Sequence, residues 1–238
     1  MIYAIADLHL DITKEKDMSV FGGNWENYEE KIFKNWQATI KKDDLVLVAG
    51  DISWAMKIDD VKLDLDRIEQ LNGRKIILKG NHDYWWQSLN KLKSLDYKTI
   101  DFLQNNSFIY NETLIVGTRG WESRDTMGFD DSDEKIFLRE LNRLELSITD
   151  ALEKYPDHKE MIAMMHYPPF NKKLETNEFE EIFKKYNIKK VVYGHIHGDQ
   201  ALKMPNGMIN GIRYYCVSGD SIDFMPVLLS KEGNYDKE

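Results

Sequence analysis

Short apolar runs punctuate this chain at residues 2–6, 45–49, 75–78, 113–116, 161–165, 190–193, 213–217 and 226–229. Several are apolar throughout. Val46-Leu47-Val48-Ala49 shows none of the alternation of a half-exposed strand, and such runs suit strands covered on both faces of a largely parallel sheet. Between them, apolar residues recur at helical spacing over roughly 25–40, 60–71, 84–95, 133–154 and 177–186. In the fourth segment Ile136, Phe137, Leu141, Leu144, Ile148, Ala151 and Leu152 form one stripe, with Arg139, Glu140, Arg143 and Glu145 on other faces. Strands alternating with helices predict an α/β fold.

A chain of 238 residues with 42% hydrophobic content can bury a sizeable core. No Pro/Gly/Ser-rich linker divides it, and the candidate site residues come from both halves. We therefore expect residues 1–238 to form a single domain. The chain enters directly into Ile2-Tyr3-Ala4-Ile5-Ala6, and no apolar stretch approaches the roughly 18 residues of a membrane span, so a soluble, cytoplasmic protein without membrane contact is expected. The one cysteine, Cys216, excludes an internal disulfide and a thiolate metal cage; it reads as a small buried strand residue. A net charge of −9 argues against a surface that grips nucleic-acid phosphates throughout, though bound cations could reverse the field locally.

Histidine placement changes the picture most. Five of the six histidines fall in four motifs just after apolar runs: Asp7-Leu8-His9, Gly80-Asn81-His82-Asp83, His166-Tyr167-Pro168-Pro169 and Gly194-His195-Ile196-His197. Gly50-Asp51 follows another run, and only His158 lies elsewhere. One isolated histidine is usually structural, whereas this gathering where loops leave strands points to a metal centre. The pairs Asp7/His9 and His195/His197 have alternate spacing, which in extended chain puts both side chains on one face. Oxygen and imidazole donors without sulfur favour manganese, iron, zinc or cobalt over calcium. Asp83 has a plainer reading as the cap of a helix beginning near Tyr84.

In order, these five blocks resemble the signature of the calcineurin-like metallophosphoesterase superfamily: Asp-x-His, Gly-Asp, Gly-Asn-His-Asp, a lone His, and Gly-His-x-His. The resemblance runs from residue 7 to residue 197 and is similar to a bacterial-type phosphohydrolase branch. It implies a four-layer α/β/β/α sandwich and two divalent transition-metal ions. By this resemblance Asp7, His9, Asp51 and His197 hold one ion, Asp51, Asn81, His166 and His195 hold the other, and Asp51 bridges. It further implies a metal-bridging hydroxide attacking phosphorus in line, with His82 protonating the leaving oxygen. The protein-phosphatase branch has an orienting Asp and a phosphate-binding Arg in the segment after Gly-Asp; here Trp54 and Ala55 stand at those positions, which argues against that branch. What orients His82 stays open, and Arg119 and Arg124 are unassigned candidates for holding phosphate.

Aromatic residues crowd the motifs. Trp85 and Trp86 read as core, while Trp54 and Trp121 read equally as core or as a stacking surface for a planar group. Two long loops, 11–24 and 119–132, are candidate substrate flaps. The expected function is a binuclear phosphoesterase acting on a small phosphorylated or nucleotide substrate. A nuclease is the alternative, disfavoured by the acidic balance, and a scaffold that has lost catalysis is disfavoured by the intact motifs.

Overall fold

The computed structural model describes residues 1–13, 16 and 18–230. Its first sheet has the order β11-β1-β2-β3-β4, formed by β1 (Ile2–Ile5), β2 (Leu45–Val48), β3 (Arg74–Leu78), β4 (Ile100–Leu103) and β11 (Val227–Ser230). Only β11 runs antiparallel to its neighbour. The second sheet has the order β5-β6-β7-β8-β10-β9, from β5 (Phe108–Tyr110), β6 (Thr113–Thr118), β7 (Glu160–Met165), β8 (Lys190–Tyr193), β9 (Gly207–Ile209) and β10 (Ile212–Cys216). Its four central strands are parallel, and its edges β5 and β9 pair antiparallel.

The unbroken apolar runs have a direct structural cause. Along β1, Tyr3 and Ile5 point into the helices outside the first sheet, while Ile2 and Ala4 point towards the second sheet. Along β7, Met161, Ala163 and Met165 face outer helices, while Ile162 and Met164 meet the first sheet. Period-two alternation thus buries both faces. The first sheet is covered by α1 (Tyr28–Thr39), α2 (Lys62–Glu69) and α3 (Leu89–Lys93), through Ile32, Trp36, Leu65, Ile68 and Leu92. The second is covered by α4 (Asp131–Lys154) and α5 (Phe179–Lys185), through Phe137, Leu144, Ile148, Phe179 and Phe183. Helix, sheet, sheet and helix make the four expected layers. A further short helix, α6 (Gly198–Ala201), follows the last histidine motif.

All eight predicted strands are present, and three more form at sheet edges. β4, β5 and β9 are three or four residues long. Segments this short are too brief to display a periodicity, so the pattern does not announce them. Helix α4 starts two residues before the expected 133, because the Asp130 carboxylate accepts from Ser132 and Asp133 N–H and closes a capping box. The helix expected over 84–95 shrinks to Leu89–Lys93. Trp85 and Trp86 turn inward instead, with their indole N–H groups donating to Asp83 (3.0 Å) and Gln104 (2.6 Å). Both are buried, and Cys216 is buried in β10, as expected. The expected helix start at Trp25 is also displaced: Trp25 ends a tight turn, and α1 begins at Tyr28. Of the loop 11–24, Lys14, Glu15 and Asp17 lie outside the described residues. Among the described residues no helix is long and apolar enough to cross a membrane.

One core residue is an unexpected charge. Lys75 on β3 is fully buried, and its ammonium donates to the Glu69 and Leu71 carbonyls and to Thr99 Oγ1 (2.9 Å), closing the open end of α2. Burial lowers its pKa to about 8 from 10.5, against the opposing pull of Glu69. Between those two values the unfolded chain holds the proton more tightly than the folded one, so stability rises with pH there. The stability of the wild type relative to Lys75→Met should therefore grow between pH 8 and pH 10, as read by urea titrations at each pH.

Candidate metal centre

Parallel strands of both sheets end at one rim, and their exit loops converge there. Four of the exit residues, Asp7, His9, Asp51 and His195, adopt left-handed backbone, with φ of 58°, 43°, 53° and 76°. Non-glycine residues occupy that region rarely, and their concentration at one site marks a constrained geometry. Two glycines are required by close approach. A Cβ on Gly80 would lie 2.0 Å from Asp51 Oδ1, and one on Gly194 would lie 2.6 Å from Asp7 Oδ2.

Asp7, His9 and His197 bring one donor atom each within 4.8 Å of one another, and Asp7, Asp51 and His166 do the same. Asp51 Oδ2 lies between the two groups, 3.6 Å from His9 Nε2 and 3.5 Å from His166 Nε2. On the first side, His9 Nε2 and His197 Nε2 face each other at 3.4 Å. On the second, Asn81 Oδ1 is 2.7 Å from His166 Nε2 and 2.8 Å from His195 Nδ1. His166 Nδ1 lies 3.0 Å from the Ala49 carbonyl, which turns its Nε2 towards Asn81 and Asp51. The sequence-predicted residues thus come together at one site, where the two donor clusters have Asp7 in common and Asp51 reaches towards imidazoles of both.

The donor set fits cations. Asp7 and Asp51 are buried, and neither forms an ion pair with Lys or Arg among the described residues. Buried carboxylates without a countercharge are costly, and a metal ion supplies it. Burial pushes the Asp7 carboxyl up to about 7, the His9 imidazole down to about 3, and His166 well below its ordinary value. Neutral imidazoles keep the lone pair that a metal needs. Burial alone would lower His197 as well, yet hydrogen bonding to Asp220 and the charge of Asp7 raise it overall.

Around these donors stand residues that motif reading missed. Asp220, after β10, lies 3.1 Å from His197 Nδ1 and accepts from Gly198 N–H at 2.7 Å, which fixes the ring so that Nε2 faces His9. Its one sequence signal is a further polar turn, Ser218-Gly219-Asp220, after an apolar run. Trp25 packs edge-on to His9 and His197, with ring centroids at 5.7 and 5.3 Å. Glu122 of the 119–132 loop lies 3.6 Å from His195 Nε2.

His82 stands beside the carboxylates. Its backbone N–H donates to Asp51 Oδ1 at 2.8 Å, its side chain is half-buried, and burial lowers its pKa. Among the described residues Nδ1 has no hydrogen-bond partner, so no carboxylate among them orients the ring through it. Trp54 does so by packing: its indole lies 4.4 Å from His82 and stacks on His9 at 4.9 Å. The indole therefore sits at the metal centre, where the protein-phosphatase branch has its Asp.

Asp83 is not a helix cap. It accepts five N–H groups, from Gly80 (2.7 Å), Asp51 (3.0 Å), Ile52 (2.9 Å), Ser53 (3.3 Å) and the Trp85 indole (3.0 Å). Burial and the Asp51 charge raise its pKa to about 7 against the pull of those donors. Of the two arginines considered for phosphate, Arg124 is committed elsewhere, paired with Glu134 (2.7 Å) and Glu178. Arg119 lies over the Trp121 ring at 4.4 Å.

Comparison with known proteins agrees with this geometry. Residues 1–199 match the calcineurin-like phosphoesterase family. The chain is 26% identical over 172 residues to a Coxiella burnetii protein named as a probable cyclic nucleotide phosphodiesterase, covering 67% of this chain and 62% of that one. It is 27% identical over 100 residues to an uncharacterized Methanocaldococcus jannaschii protein, covering 41% and 54%. The chain therefore spans less than two thirds of either relative's length. In fold it resembles a protein of unknown function from Aquifex aeolicus, with TM-score 0.50 and 20% identity over 95% of this chain and 94% of that one. It also resembles a protein from Thermus thermophilus, with TM-score 0.57 and 14% identity over 92% and 89%.

Removing the Asp83 acceptor should undo the loops on both sides of Asp51. Asp83→Ala is expected to lose at least about 3 kcal/mol of unfolding free energy, because several buried N–H groups are orphaned together. It should also bind manganese more weakly than the wild type; urea unfolding and metal analysis check both.

Proposed function

We propose, from the premise that this chain belongs to the calcineurin-like phosphoesterase family, that it hydrolyses a small phosphorylated or nucleotide substrate at a two-metal centre. The observation that carries the proposal is Asp51 Oδ2 lying 3.6 and 3.5 Å from imidazole nitrogens of two separate donor groups, with His82 beside it. In this reading Asp7, His9, Asp51 and His197 hold one ion, and Asp51, Asn81, His166 and His195 the other. Two bound cations would neutralise the phosphoryl oxygens and lower the pKa of the attacking water.

The protein's own groups supply the rest. Asp220 and the Ala49 carbonyl fix the rings of His197 and His166. Trp54 restricts the His82 ring, so its imidazole delivers a proton to the leaving oxygen from a set position. Burial lowers the His82 pKa, which makes the protonated imidazole a stronger acid.

A pocket of about 250 Å³ opens beside His195, lined by Trp121, Tyr167, Phe170, Leu174 and Met204. Tyr167 packs on His195 with centroids 4.1 Å apart and on Trp121 at 5.3 Å. Its aromatic wall suits the planar organic part of a nucleotide. The relative named as a probable cyclic nucleotide phosphodiesterase supports the same substrate class. The core shared by both sheets, drawn from Ile2 to Leu229, supports the reading of a single domain.

Manganese-loaded protein should hydrolyse aryl phosphomonoesters or diesters and cyclic nucleotides, with activity lost on chelation and regained on adding metal. His82→Ala should lower kcat by about 10²–10⁴-fold while metal content stays at that of the wild type. A metal-replete protein inert towards such a panel overturns the proposal.

A further inference from the structure

A second crevice, of about 260 Å³, opens between the ends of β3 and β6 and the flank of α4 that carries Arg139, Glu140 and Arg143. Lys79, Arg119, Arg139, Arg143 and Glu140 supply its charges. Four cations share one carboxylate, in a chain whose net charge is −9.

The carboxylate does not use them up. Glu140 is buried, and its Oε2 already accepts from Thr118 Oγ1 at 2.6 Å. Its Oε1 stands 3.9, 3.9 and 3.6 Å from Arg119, Arg139 and Arg143, each beyond a normal hydrogen bond. Each guanidinium carries five N–H donors. Among the described residues none of these arginines, nor Lys79, donates a side-chain hydrogen bond. Arg119 is the telling member, because its side chain is only 17% exposed, with one face against Trp121. Tethering α4 to the sheet through Glu140 needs one cation. Four, clustered with no side-chain hydrogen bonds among the described residues, suit an anion with several acceptor oxygens.

Short stretches of chain link the crevice to the metal-centre donors. Lys79 is two residues before Asn81, so their Cα atoms are within about 8 Å. The Arg119 carbonyl accepts from the backbone N–H of His166 at 3.1 Å and of Tyr167 at 2.9 Å. We propose that this crevice is a second anion subsite, so that the substrate carries a further phosphate or comparable anionic group besides the one that is cleaved. The inference rests on the phosphoesterase reading for its reaction, while the subsite itself rests on the crevice.

Three nucleotides separate the possibilities: AMP, with one phosphate, and ADP and adenosine 3′,5′-bisphosphate, which add a second at different spacings. Calorimetric titration of the metal-loaded protein should find ADP or the bisphosphate binding at least about tenfold more tightly than AMP, as expected for one added charge-assisted contact. The double variant Lys79→Met/Arg143→Gln should erase that preference and leave AMP affinity unchanged. Arg139→Gln, on the more exposed side, should reduce it in part, and unaltered thermal unfolding of each variant shows that the fold is kept. Equal binding of all three nucleotides by the wild type overturns the subsite, as does a variant that weakens AMP as much as the others. Nucleotide discrimination in a protein that cleaves no phosphoester would leave the subsite standing and overturn the phosphoesterase reading, so the two failures are distinct.

Discussion

One carboxylate that binds no metal in our assignment holds the site together. Asp83 gathers the N–H groups of Gly80, Asp51, Ile52 and Ser53, and so ties the loop after β2 to the loop after β3. The carbonyls of the loop after β2 pair with His9 and Leu10, whereas these amides go to Asp83, and without it they would be buried and unmet. The position of the Asp51 side chain follows from this clamp, and with it the separation of the two donor groups. The clamp also fixes His82, whose N–H donates back to Asp51. Its fifth partner, the Trp85 indole, anchors it to the core beneath the first sheet.

Two sheets make this arrangement possible. One sheet alone would offer only the ends of its own strands; two packed face to face bring the ends of β1, β2 and β3 against those of β7 and β8. Asp7, Asp51 and Asn81 come from the first sheet, and His166 and His195 from the second. The site therefore exists only where the layers meet, with each sheet presenting donors that the other lacks. The loops after β6 and β7 then differentiate the surroundings, an aromatic wall beside His195 and a cationic crevice beside Lys79.

Much of this was legible in the chain. Apolar runs located the central strands, because burial on both faces leaves a signal independent of neighbours. The metal motifs were legible because their residue types are rare and their order is distinctive. Strands β4, β5 and β9 were not, since three or four residues are too few to show a period. Asp83 looked like a cap because local sequence cannot show that its partners lie about thirty residues upstream. Asp220 and Trp25 were hidden for the same reason, being near the histidines only after folding. The crevice at Lys79 brings together residues from β3, β6 and α4, none of which forms a basic run in sequence. Arg124, equally basic, is spent on Glu134 and Glu178, a difference that only tertiary structure reveals.

The left-handed backbone at Asp7, His9, Asp51 and His195 bears on what this site can become. Besides glycine, that region best tolerates Asn, Asp and His, whose short or planar polar side chains ease its steric cost. These are also the donors present here. The path of the chain thus limits the coordination chemistry before any ion is chosen: exchanging a carboxylate or imidazole for a longer acid or a thiol would set the backbone against the new ligand. At these four positions a change of ligand type would thus call for a change in the path of the loop as well as in the side chain.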